Sequence, residues 1–280
     1  MTATVDLLIL GAGWTSTFLI PLCRSEGVSY SATSRAGGPD TVPFVFDPES
    51  EDATPYAQLP TARTVLITFP IKASGASERL VRLYTTTHKE GVFQFIQLGT
   101  TSIWDGTGNI VAGAEKKSSG WFDRHSPFNV NERAAAEEEL LAISSDKTPT
   151  TVLNLSGLWG GERQTKNWVG RVAPTKEALR NKGSIHMIHG LDVSRAILAV
   201  HAQFAKTAGK RWLLTDQRVY DWWDLASAWG QGGEPGWVNE LMEEAGVRAL
   251  PRDIGELGRA LDSREFWSTF EISPVKARLE

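Results

Sequence analysis

The sequence predicts an α/β protein built on a doubly wound parallel sheet, with a smaller, mostly helical lobe toward the C-terminus. Short runs of β-branched or aromatic residues alternate with amphipathic stretches through the first half of the chain. That alternation implies parallel strands joined by helices that cover both sheet faces. The apolar run LILGAGWTSTFL breaks at Gly11 and Gly13 and then resumes with helical spacing, as a strand–turn–helix start does. The lobe is expected because eight of the 11 tryptophans lie beyond Gly157, in a Gly-rich region where the alternation loosens.

Taken in order, VDLLIL (5–10), VSYSAT (28–33), PFVF (43–46), TVLITF (64–69), VFQFIQL (92–98) and TVLNLSG (151–157) read as strands. Between them, 14–26 and 74–88 read as helices, the second with Leu80, Val81 and Tyr84 on one face. The segment FNVNERAAAEEELLAI (128–143) is the clearest helix, with Leu140, Leu141 and Ile143 as its inner edge. Its acidic run, Glu137 to Glu139, reads as a solvated face. Further helices are expected at 191–208, 220–230 and 236–245.

Composition narrows the function. The 280 residues are 41% hydrophobic and 22% charged, with a net charge of −4 and no basic run. Phosphate neutralisation needs clustered Lys and Arg, so no nucleic-acid partner is expected. Cys23 is the only cysteine, which excludes an intramolecular disulfide or a cysteine-based zinc site. Asp6 interrupts the N-terminal apolar stretch and no basic residues precede it, so it does not read as a signal peptide. No apolar segment reaches the roughly 18–20 residues that span a bilayer. A cytoplasmic protein without a membrane partner is expected.

The glycine pair has a specific use. In a Rossmann-type βαβ start, the first glycine permits the tight turn and the second lets the backbone approach a pyrophosphate. The helix N-terminus then supplies N–H donors to that anion. Gly11 and Gly13 fill these two roles, and Ser16 stands where a third glycine is usual. Trp14, Thr15 and Ser16 share the turn and are expected among the cofactor contacts. At the end of the next strand an NAD site offers a carboxylate to the ribose, whereas an Arg accommodates a 2′-phosphate. This chain has Ser34 and Arg35 there, with no carboxylate before Asp40. The guanidinium matches phosphate oxygens, and NADP(H) is the expected cofactor. Residues 1–157 thus read as the NADP(H)-binding domain. Residues 158–280 read as the Trp-rich lobe, with about 185–215 returning to the sheet.

In order along the chain, LILGAGWTSTFL, TSR, FVFDP, VLITFP, FIQLGTTSIWDG, SPFNVNERAAAEEELL, LNLSGLWGGER and IHMIHGLDVSRAILAV resemble the extended short-chain dehydrogenases/reductases, the NAD-dependent epimerase/dehydratase group. The likeness is to their atypical members. It implies that Asp47 lies near the adenine and that Thr68, Phe69 and Pro70 pass beneath the cofactor. It also implies that Thr100 is the active-site hydroxyl. The family's Tyr-x-x-x-Lys pair, a general acid/base and the Lys that lowers its pKa, is replaced here by Asn129 and Arg133. None of the four tyrosines (Tyr30, Tyr56, Tyr84, Tyr220) has Lys four residues later.

His125, beside Arg124 just before the predicted active-site helix, is a candidate to move the proton that the missing Tyr would carry. His186 and His189 read as facing opposite sides of a strand, so no metal site is expected from them and Asp192. Trp104 and Trp159 fall in turns that the resemblance places around the substrate. The leading expectation is an oxidoreductase or epimerase acting on a small organic carbonyl or alcohol. Two alternatives stay open: an NADP(H)-sensing regulator without turnover, and a non-redox isomerase or cyclase on the same fold. Both monomer and homodimer are compatible with the sequence.

Overall fold

A computed structural model describes residues 4–88, 91–105, 120–276 and 278–279. The chain opens with β1 (Thr4–Leu10), α1 (Ser16–Ser25), β2 (Tyr30–Ser34) and β3 (Val42–Pro43). It continues through α2 (Thr54–Ala57), β4 (Thr61–Ile67), α3 (Ala76–Thr87) and β5 (Gln94–Thr100). Then come β6 (Gly120–Phe122), α4 (Glu132–Ala142), β7 (Thr150–Leu155) and β8 (Gly157–Trp159). Two short helices follow, α5 (Val169–Val172) and α6 (Lys176–Arg180), before β9 (Ser184–Ile185), β10 (Met187–His189) and α7 (Gly190–Ala202). The last elements are β11 (Lys210–Leu214), β12 (Tyr220–Asp221), α8 (Trp222–Trp229), α9 (Glu234–Ala245), β13 (Arg259–Leu261) and α10 (Arg264–Thr269).

Seven strands form one parallel sheet in the order β3-β2-β1-β4-β5-β7-β11. The chain leaves β1 toward β2 and β3 and re-enters on its other side at β4. A crevice therefore opens between the carboxyl ends of β1 and β4, the place where such sheets bind ligands. Alternation along β1 serves two layers: Leu7 and Ile9 enter one core with α1, α7 and α10, while Leu8 and Leu10 enter the other with α2, α3 and α4. All four side chains are fully buried. Each such burial contributes about 1.5–3 kcal/mol, and the two layers cover both sheet faces.

β11 supplies the seventh strand, pairing Trp212 with Leu153. A separate core of the lobe gathers Trp159, Trp222, Trp223, Val238 and Leu241. There Arg252 is buried against Asp221 (2.6 Å) and lies 3.8 Å over the Trp223 ring.

Three elements differ from expectation. The run 43–46 yields only the edge strand β3, because Pro43 has no N–H to extend the ladder. Phe44 turns onto Tyr56 and Phe46 stacks on Phe69, at 5.2 Å in each case. The helix expected from 128 starts at Glu132, since the Asn131 side chain caps it by accepting the Ala134 N–H (2.9 Å). Of the acidic run only Glu138 is exposed to solvent. Glu137 is 2% exposed and pairs with Arg211 at 2.9 Å, Glu138 takes the same guanidinium at 2.6 Å, and Glu139 accepts the Gly75 and Glu78 N–H groups at the start of α3.

Candidate functional site

Two clefts open along the carboxyl edge of the sheet. The first begins at the turn after β1. Gly11 has φ +92°, and a Cβ there would come within 2.8 Å of the Thr68 hydroxyl. The turn is pinned from both sides. The Gly11 N–H donates to the Thr33 hydroxyl (3.0 Å) and the Ala12 N–H to the Thr33 carbonyl (2.6 Å). From β4, the Thr68 hydroxyl donates to the Gly11 carbonyl (2.6 Å) and lies 3.0 Å from that of Leu10. At Gly13, by contrast, a Cβ would meet no atom within 4 Å. That open floor lies just before the N-terminus of α1, where backbone donors favour an anion.

This cleft, of about 830 Å³, is lined by Gly11, Gly13, Ser34, Arg35, Thr68, Phe69 and Pro70 among the expected cofactor contacts. Lys72 adds a second cation, and Phe46 and Pro48 an apolar wall. Asp47 does not line it. Its exposed carboxylate accepts the Glu49 N–H (3.0 Å) and closes a turn, leaving its two neighbours to face the cleft. Trp14, Thr15 and Ser16 are not part of the lining either. The Trp14 indole N–H reaches across to the Gly160 carbonyl (3.2 Å), with the Arg163 guanidinium 4.5 Å over its ring, so Trp14 ties the turn to the lobe. Thr15 is the N-cap of α1, without a side-chain cap bond, and the buried Ser16 hydroxyl has no hydrogen-bond partner among the described residues.

The second cleft, of about 640 Å³, lies beyond β5 and β7 and is closed by residues of the lobe. Thr100 lines it. Its hydroxyl accepts the Ser102 N–H and lies 3.2 Å from the Ser102 hydroxyl, capping the turn Thr101–Trp104. Behind it, the Asn154 amide donates to the Thr100 carbonyl (3.2 Å) and to Glu137 (2.7 Å), while Arg211 donates to Glu137 and Asn154, both at 2.9 Å. This buried network holds the end of β5 in place. On the facing wall Arg259 pairs with Asp105 and donates to the Thr101 carbonyl. Burial pushes the Arg259 guanidinium down and the Asp105 carboxyl up, each against the pull of its partner.

Of the other sequence-derived candidates, Trp104 alone lines this cleft. Asn129 lies before α4, its N–H donating to Ile103 (2.8 Å) and its amide to the Asp105 carbonyl. Arg133 donates to the Leu98 carbonyl (3.2 Å) and sits 3.8 Å from Glu137. His125 is exposed and bonds Glu265 (3.0 Å), beside an Arg124–Glu265 pair, which points it at α10 rather than at a ligand. Trp104 lines the cleft, fully buried, with its indole N–H 3.2 Å from the Ser126 carbonyl. Trp159 does not; it packs in the core of the lobe against His189. Phe122 and Trp222 supply the remaining aromatic lining.

Sequence reasoning missed Thr33, Lys72, Ser156, Lys182, His186 and Arg259. A strand-end Thr beside a glycine turn is a readable signal for the first of these. Ser156 and His186 lie within quoted motifs, but nothing local marks either as lining this cleft, and Lys182 and Arg259 come from segments without a motif. Among the described residues, no group of three His, Cys, Asp or Glu is placed to hold a metal ion, and no helix is long and apolar enough to cross a membrane.

No family model matches this chain, and no curated protein matches it in sequence. Solved structures do. A protein of Methylobacillus flagellatus named for the NAD-dependent epimerase/dehydratases is 14% identical with a TM-score of 0.63, over 98% of this chain and 94% of that one. MoeE5 in complex with UDP-glucose and NAD is 16% identical with a TM-score of 0.60, over 96% and 93%. RMD from Pseudomonas aeruginosa, complexed with NADPH, is 11% identical with a TM-score of 0.58, again over 96% and 93%. The chain has their fold.

Proposed function

We propose that the protein binds NADP(H) in the first cleft and acts as an oxidoreductase or epimerase on a small organic carbonyl or alcohol held in the second. The observation that carries the cofactor choice is the lining of the first cleft: among the described residues Arg35 and Lys72 are both there, and no carboxylate is. A 2′-phosphate finds cations in that place, whereas a bare ribose diol would lack its usual acidic partner. The fit is supported at the other end by the empty space over Gly13 and the helix start behind it. Gly11, Gly13, Thr33 and Thr68 would hold the pyrophosphate turn, and Phe69 and Pro70 the floor beyond β4. When bound, the dinucleotide supplies hydride transfer. The chain's own part is to orient a substrate oxygen at Thr100, on the neighbouring strand end, and to exclude water with Trp104, Phe122 and Trp222. MoeE5 and RMD hold their dinucleotides on this same frame.

A second reading has an observation of its own. No tyrosine lines the second cleft, and Asn129 spends both its backbone N–H and its amide on structural bonds. This favours a non-redox isomerase, or a dinucleotide sensor without turnover. Calorimetric titration of NADPH and NADH against the wild type and Arg35→Ala tests the cofactor. Loss of one charge-assisted contact costs about 1.5–3 kcal/mol, so NADPH is expected to weaken roughly ten- to a hundredfold in the variant. Equal wild-type affinities for the two cofactors would overturn the choice. A screen of aldehydes and ketones for NADPH oxidation separates the readings: silence across the panel, with tight NADPH binding retained, favours the second.

A further inference from the structure

Among the described residues, two that line the second cleft carry buried polar atoms with no hydrogen-bond partner. The Leu261 N–H donates to His186 Nε2 (2.9 Å). A neutral imidazole has one proton, so in His186 it resides on Nδ1. That Nδ1 is buried and has no hydrogen-bond partner, although His186 lines the cleft. The buried Ser156 hydroxyl, in the same lining, is also unpartnered. The two residues are neighbours across a parallel pair: Met187 is in register with Gly157, and the Gly157 N–H donates to the His186 carbonyl (2.9 Å). Arg259, two residues before Leu261 on β13, brings its guanidinium to the same cleft, and Lys182 lines it as well.

We propose that this wall is a carboxylate subsite: the substrate of the second cleft carries a carboxylate that accepts from His186 Nδ1–H and the Ser156 hydroxyl, beside the Arg259 guanidinium. The inference rests on the second cleft being a substrate site, and it names the substrate class. Charge selects the anion. Among the described lining residues, Asp105 already neutralises Arg259, His186 is uncharged, and Lys182 leaves about one net positive charge. A monoanion balances this, whereas a phosphate dianion leaves an uncompensated charge in a half-enclosed site. Burial and the Arg259 charge hold the His186 pKa down to about 3. The ring therefore stays a neutral, fixed-tautomer donor at working pH, and it orients rather than transfers a proton.

The test needs no cofactor. With NADPH absent, and again with it present, phenylpyruvate, pyruvate and benzoate are titrated by calorimetry against their methyl esters and inorganic phosphate. At least one carboxylate is expected to bind tenfold or more tighter than its ester and tighter than phosphate. Ser156→Ala, a small change with no bond to break, is expected to weaken that carboxylate roughly tenfold while leaving the ester unaffected. Nitrogen-15 spectra of labelled histidine are expected to show Nδ1 protonated and Nε2 bare between pH 5 and 8, with the Nδ1–H proton shifting on carboxylate addition. Carboxylates binding no better than esters, phosphate binding best, or a protonated Nε2 would each overturn the subsite. NADPH affinity measured on the same samples reports on the cofactor cleft separately, so its failure is not mistaken for this one.

Discussion

The two clefts lie along one sheet edge but are built differently. The first is built on a glycine turn at the end of β1, pinned by hydrogen bonds to Thr33 and from Thr68, with Arg35, Lys72 and a wall of Phe and Pro residues around it. The second is made of side chains drawn from strand ends near residues 100 and 156, from the turn before β9, and from Trp222 and β13. The turn of the first cleft keeps its shape wherever its glycines and strand ends survive. A side-chain cleft depends on a supporting core, and the predictions below run from the largest expected effect to the smallest.

The support behind the second cleft should fail most severely. Arg211→Ala leaves the Glu137 carboxylate buried without its main partner and removes a donor from Asn154. Breaking such a buried pair costs about 3–5 kcal/mol, measurable as a shift in the urea midpoint. The double variant Glu137→Leu with Arg211→Met should recover much of that loss, because replacing both charges by apolar groups removes the stranded ion. A single variant as stable as the wild type would show that the network does not hold the end of β5.

Gly13→Val should do the reverse, sparing the fold and abolishing dinucleotide binding. Nothing lies within 4 Å of a Cβ at Gly13, so the side chain enters only the space proposed for the pyrophosphate. We expect NADPH affinity to fall at least about a hundredfold, some 2.7 kcal/mol, with the melting temperature little changed. Gly11→Ala, by contrast, should destabilise, given its positive φ and the 2.8 Å approach of the Thr68 hydroxyl. If NADPH binds a folded Gly13→Val protein normally, the cradle is misassigned.

How much of this was legible follows from the same contrast. The layered sheet was readable because alternation in β1 and β4 reports burial on both faces, residue by residue. The glycine turn was readable because its residues are consecutive. Glu137 was misread because its partner, Arg211, is 74 residues away and nothing local marks a buried carboxylate. His186 was weighed only as a metal ligand; its tautomer depends on Leu261, 75 residues on. His125 looked catalytic from its position before α4, yet Glu265 on α10 takes it. Trp159 has the same difficulty as any single tryptophan: a core position and a ligand wall leave the same mark in sequence.

Two buried groups of the lobe oppose each other as the pH changes. In an unfolded chain His takes up a proton near pH 6.5, whereas folded His186 does so only at about 3. Its contribution is complete above pH 6.5 and is lost as the pH falls toward 3, at up to about 1.4 kcal/mol per pH unit. Burial pushes the Asp216 carboxyl up to about 6, although the Tyr220 hydroxyl donates to it at 2.6 Å. Asp216 therefore holds a proton that the unfolded chain releases near pH 3.9. The stability this gives at low pH is lost as the pH rises through 6. Between pH 4 and 6 the two slopes cancel in the wild type. Asp216→Asn should expose the His186 term as a falling melting temperature from pH 6 to 4. Superimposable wild-type and variant profiles would count against this balance.

The smallest effect is expected at Thr100, where the two roles of one hydroxyl must be separated. Thr100 caps the turn Thr101–Trp104 through Ser102 and also lines the second cleft. Thr100→Val keeps the shape and loses both functions, while Ser102→Ala removes only the side-chain partner within the turn. The lost cap costs about 1 kcal/mol of stability. A lost hydrogen bond to the substrate oxygen lowers turnover roughly ten- to a hundredfold, about 1.4–2.7 kcal/mol of barrier. If Thr100 orients substrate, Thr100→Val should lower kcat/KM far more than Ser102→Ala, and Thr100→Ser should restore it. Equal losses in Thr100→Val and Ser102→Ala would reduce Thr100 to a turn residue. The orienting role in the second cleft would then fall to His186 and Ser156.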